Sequence, residues 1–74
     1  MSDNQTKQGE DMKNLTASAQ RAIAKYGIEA CHKAYKLHQA GESARTIAIV
    51  GPDTIKTTRQ ADAAINAGFE LNNA

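Results

Sequence analysis

Cys31, His32 and His38 are the first candidates in this sequence for metal ligation or nucleophilic chemistry. Zinc takes four ligands, usually in paired short spacings such as C-x2–4-C with H-x3–5-H. Cys31 and His38 share one helical face, but the sequence holds no second pair to complete the set. A nucleophilic thiol needs a positioned base, and His32, directly after Cys31, points about 100° away around a helix. The expectation is a small buried thiol and a boundary histidine, with no metal and no cofactor. Most carboxylates fall in the first residues or on expected outer helix faces, and no close pair recurs at i,i+3 or i,i+4. Gly41, Gly51 and Gly68 stand singly and do not form a phosphate-cradling run. No catalytic residue is assigned, and the chain is not read as an enzyme.

A different chemistry fits the run Lys56-Thr57-Thr58-Arg59-Gln60. Arginine pairs bidentately with guanine, glutamine does so with adenine, and a threonine methyl meets the thymine methyl. If this run opens a helix that enters a major groove, Lys56, Thr58, Arg59 and Gln60 are the base contacts, with Asp62 and Ala63 a turn further. Ser43, Arg45 and Thr46, at the start of the preceding element, would then hold phosphates through side chains and N-terminal N–H groups. Lys33 and Lys36 extend that contact if their helix faces the backbone.

The element that must position these residues runs from Ser43 to Gly68. Ser43 is a good N-cap. Ala44, Ile47, Ala48 and Val50 supply an apolar side for about two turns of helix. Gly51-Pro52-Asp53 stops that helix, through a glycine that tolerates a left-handed cap and a proline that cannot continue the ladder. Thr57-Thr58-Arg59-Gln60 has the form of a capping box, Thr at the cap and Gln three residues later. The second helix turns Ala61, Ala64 and Ile65 inward, and Gly68 is placed to end it. An Asp53 cap would lengthen that helix by a turn and pack Ile55 less well, so the Thr57 cap is preferred, with Ile55 plugging the turn.

A short helix, a break and a polar-fronted second helix outline a helix-turn-helix. The segment SARTIAIVG…TTRQADAAINAG is similar to the bihelical unit of small phage repressors, and AINAG looks like the end of a recognition helix there. Ile47 stands where that family usually has alanine, and the connection Gly51–Lys56 is longer than the usual turn by roughly three residues. The resemblance implies a DNA-binding transcription regulator whose partner is double-stranded DNA.

The remaining chain supplies the frame. Residues 1–13 contain no apolar side chain except Met1 and Met12, too little to offset ordering entropy, and read as a disordered tail. From 14 to 27, Asn14, Thr16 and Ser18 all offer caps. Leu15, Ala19, Ala22, Ile23 and Tyr26 share one face; Gln20, Arg21 and Lys25 fall on the other, and Gly27 closes the helix. From 28 to 40, Ile28, Cys31, Ala34, Tyr35 and His38 form an inner stripe bordered by Leu37, and Gly41 closes. Phe69 and Leu71 fold back on the core or pair with a second copy, and the last three residues fray. The expected fold is all-α, a small three- to four-helix domain over 14–74.

Size and composition set the remaining bounds. Seventy-four residues suffice for one domain with a modest core. With 41% hydrophobic and 4% aromatic residues, that core is built from Ala, Ile, Leu and Val, and it buries little area per residue. Dimerisation is the natural remedy, so a homodimer is expected. Net charge is +1, so composition alone does not announce nucleic acid, but Lys13, Arg21, Lys25, Lys33 and Lys36 face only Glu29 between residues 13 and 36. One cysteine excludes an intrachain disulfide and fits a reducing cytoplasm. No apolar run is long enough to span a membrane. A second reading is a small phage- or plasmid-type helical protein that binds and inhibits a host protein, through the Tyr35–Leu37 region or the Phe69–Leu71 end.

Overall fold

The structure, a computed structural model, describes residues 15–73. The tail expected over residues 1–13 lies outside the described residues, as does the cap candidate Asn14. The described residues are all-helical: α1 is Ala17–Tyr26, α2 Ile28–Gln39, α3 Ala44–Val50 and α4 Thr58–Asn73. The first two helices are separated by Gly27 alone, whose φ of +99° lets the chain turn sharply where another residue would be strained.

Three of the four described helices start at a side-chain cap, whereas α2 follows Gly27 with none. Thr16 caps α1, its hydroxyl accepting from the Ala19 N–H at 3.2 Å. Ser43 caps α3, accepting from the Thr46 N–H at 3.2 Å. Thr57 caps α4, accepting from the Gln60 N–H at 3.1 Å. The return bond of this box arrives one residue early, because Gln60 Oε1 accepts from the Lys56 N–H at 2.8 Å rather than from the cap residue. Two donors that would otherwise be free at the head of α4 are thereby satisfied.

The core is Leu15, Ala19, Ala22, Cys31, Ala34, Ile47, Ile55, Ala61, Ala64, Ile65 and Ala67. Six of these eleven are alanine, so the helices approach closely and each contact buries little area. The long helix α4 is the centre: it packs on α1, α2 and α3. It runs antiparallel to α1. Thr16 at the head of α1 bonds Glu70 near the tail of α4, while Tyr26 at the foot of α1 lines a depression with Ala63. Thr16 donates twice to that carboxylate, N–H to Oε1 and Oγ1–H to Oε2, both at 2.8 Å. A negative group at the head of α1 also suits the helix dipole.

Four expectations are corrected. Gly68 does not end α4, which continues to Asn73 and includes Asn72 and Asn73, two of the three residues expected to fray; Ala74 lies outside the described residues. Gly68 is buried, and a β-carbon there would strike the Cys31 carbonyl oxygen and lie 2.5 Å from Tyr35 Cβ. It is the point at which α4 meets α2 backbone to backbone. Gly51 is not left-handed; its φ is −85°. On α2, Ile28 and His38 lie outside the inner stripe, because that face is narrow and only Cys31 and Ala34 are fully covered. His38 instead donates from Nδ1 to the Glu42 carbonyl oxygen at 3.2 Å, holding the α2–α3 turn. On α3, Val50 is exposed, since the inner side of so short a helix is filled by Ile47 with Ala44 and Ala48 beside it.

Candidate nucleic-acid interface

The head of α4 is held from three sides. Ile55 is 2% exposed and sits in the core just before the helix, as its expected role in the turn requires. Its N–H donates to the Pro52 carbonyl at 3.0 Å. Thr54 Oγ1 donates to the Tyr26 carbonyl at 3.1 Å, tying the connection over residues 51–57 to the foot of α1. With the Thr57–Gln60 box in place, the first turn of α4 is fixed in direction.

From that turn the outer stripe rises at helical spacing: Thr58, Arg59, Asp62, Asn66 and Phe69, all exposed. Lys56 is exposed just ahead of it. The head of α4 therefore offers a cation, a hydroxyl, a guanidinium and a carboxylate, the donor and acceptor types that address base edges. Gln60 does not join them on equal terms. Its carboxamide oxygen already accepts from Lys56, and it is half-buried. A bidentate contact with adenine needs both ends of the amide, so Gln60 would have to release the cap to make one.

The expected phosphate contacts are scattered. Ser43 Oγ is engaged within α3, accepting from the Thr46 N–H and donating to Thr46 Oγ1 at 3.1 Å. Thr46 is half-buried, whereas Arg45 is exposed. Lys33 and Lys36 line a groove of α2 that also includes Asn72, near the tail of α4. Arg59 is 13 residues before Asn72 in the same helix, about 20 Å away by helical rise. Lys33 also borders the depression formed by Ile28, Pro52 and Asp53. Lys36 thus belongs to the end of α4 remote from the head.

Two cations that the sequence places merely on the outer side of α1 lie closer to that head. Arg21 and Lys25, with Ser18, Ala22, Tyr26 and Ala63 of α4, line a shallow depression between the two helices. Ala63 follows Arg59 by one turn, on the same side of α4. The Lys25 ammonium lies 5.8 Å from the centroid of the Tyr26 ring. The signal available in the sequence was the i,i+4 pair of like charge, Arg21 and Lys25; their neighbour on α4 was not readable from spacing.

Cys31 is fully buried, and burial pushes its thiol pKa up, the wrong direction for a nucleophile or a metal ligand. His32 and His38, both after Cys31 on α2, are exposed. Among the described residues, no three His, Cys, Asp or Glu side chains gather as metal ligands would. Nor is any described helix long and apolar enough to cross a membrane. The chain matches no protein-family model, no curated protein and no solved structure.

Proposed function

We propose that this chain binds double-stranded DNA by presenting the head of α4 to the major groove, and acts in transcription regulation in the cytoplasm, as a homodimer. The observation that carries the reading is the anchored first turn of α4, with Thr58 and Arg59 exposed on a helix whose direction is set by Ile55, Thr57 and Gln60. A rigid, capped helix with donors at its head is what base readout in a groove needs. In this reading Arg59 contacts a base edge, Thr58 and Lys56 flank it, and Asp62 accepts from a cytosine amine. Gln60 positions the head instead of reading a base. Arg45 is the remaining phosphate contact from α3.

Arg59→Ala tests the assignment. On a duplex selected for tight binding, loss of a bidentate arginine is expected to cost about 1–3 kcal/mol and to relax preference at one base position. An affinity unchanged by the substitution means that Arg59 does not read a base.

A second reading rests on a separate observation. The two regions expected to dock on a host protein form one patch: the rings of Tyr35 and Phe69 are 6.2 Å apart at an interplanar angle of 56°, and Asn72 Nδ2 donates to the Tyr35 hydroxyl at 3.2 Å. Phe69 remains 54% exposed. A partner protein bound through this aromatic patch would be held by apolar burial, and its affinity would respond little to salt. Binding to DNA falls steeply with salt.

A further inference from the structure

We propose that α1 supplies the phosphate-binding wall of this interface, with Arg21 and Lys25 holding one strand of a DNA duplex beside the groove that α4 enters. The inference rests on the DNA reading above and names residues that reading does not use. Five observations support it.

Ser18, Arg21 and Lys25 are all exposed and line the same depression, and among the described residues no carboxylate lines it. Neither Asp62, directly before Ala63, nor Glu29, four residues after Lys25, is among the lining residues. Arg21 and Lys25 stand at i,i+4, where like charges repel by a few tenths of a kcal/mol in an isolated helix. Among the described residues no ion pair relieves that repulsion; a bound anion would. Ala63 contributes only a methyl group to the floor, so the space between the helices stays open to a bulky phosphodiester.

The length of the row selects a polymer over a free anion. Ser18 to Lys25 spans eight residues of α1, about 10 Å of helix. A single DNA strand carries a phosphate per 3.4 Å of duplex axis, so a row of this length laid along that axis would cover about three of them. An inorganic phosphate held by Arg21 and Lys25 together would use only part of the row, whereas a strand follows it from Ser18 to Lys25. Direction agrees as well: Arg59, one turn before Ala63, stands next along α4 toward its head, so the wall and the base-reading arginine adjoin. Lys36, about 20 Å from that head by helical rise, does not.

The test is fluorescence anisotropy with one labelled duplex over a salt series, comparing the wild type with the Arg21→Ala/Lys25→Ala double variant. Both side chains are exposed, and unchanged far-UV circular dichroism establishes that the variant folds. The slope of log K against log salt is expected to fall in magnitude by about 2, with binding weaker by about 10–100-fold at 0.1 M salt. The ratio of affinities for the selected and a scrambled duplex should stay the same, because phosphate contacts carry no sequence information. Arg21→Lys/Lys25→Arg, which keeps both charges, should retain the slope. Wild-type binding with an unchanged slope in the alanine variant overturns the α1 wall and leaves the DNA reading standing. A wild type that fails to bind DNA at low salt removes both.

Discussion

Replacing Gly68 with alanine is expected to destabilise the domain, although the position is inside a helix where alanine normally stabilises. In an open helix the exchange gains about 1 kcal/mol, from propensity and reduced freedom of the unfolded chain. Here the added methyl meets one face of α2: the Cys31 carbonyl oxygen, and Tyr35 Cβ at 2.5 Å. Neither is the free end of a side chain, so relief requires α2 and α4 to move apart along their most extensive contact. Overpacking of this kind costs about 1–3 kcal/mol, and more where backbone must shift. Because backbone must shift here, the upper part of that range applies, about 2–3 kcal/mol. Subtracting the propensity gain of about 1 kcal/mol leaves a net loss of roughly 1–2 kcal/mol. For a domain of this size that lowers Tm by about 4–15 °C. Urea and thermal unfolding followed by far-UV circular dichroism measure both quantities. A stabilisation near 1 kcal/mol, the value for an unobstructed helix site, would refute the close crossing of α2 and α4.

Two further outcomes follow from the packing. Glu70→Ala removes both acceptors of Thr16 and should cost about 1–2 kcal/mol in urea unfolding, with the partial exposure of the pair keeping it at the lower end. The slope of DNA affinity against salt should not change with it. Burial holds the Cys31 thiol protonated above its ordinary 9.0, so the folded state keeps a proton that the unfolded chain gives up. Stability from this source is intact below that value and declines as pH rises through the folded pKa. The urea midpoint should therefore fall more between about pH 8 and about pH 10 for the wild type than for Cys31→Ala, and equal falls would contradict it.

Features set by neighbours in sequence were the legible ones. The caps Ser43 and Thr57, the turn at Gly27 and the plug at Ile55 each depend on residues within a few positions, and each stands where local chemistry places it. Gly68 was misread because a glycine that ends a helix and one that admits a neighbouring backbone look alike in one dimension. What separates them here is α2, more than thirty residues away. Val50, Ile28 and His38 followed helical spacing correctly but lie beyond the edges of stripes that three short helices and one long one leave narrow. For the candidate site, the exposed head of α4 was readable from the capping box, whereas the engagement of the Gln60 oxygen was not. The nearness of Arg21 and Lys25 to Ala63 follows from α1 running antiparallel to α4, a matter of tertiary packing that no spacing along α1 encodes.

The most direct measurement is fluorescence anisotropy of the wild-type protein with a mixed-sequence DNA duplex, at low and then physiological salt. The account predicts binding at low salt that weakens linearly in log K against log salt, with a slope of several units from Arg21, Lys25, Arg45, Lys56 and Arg59. No binding at low salt would contradict it, as would binding that salt leaves unchanged; either result would turn attention to the Tyr35–Phe69 patch and a protein partner.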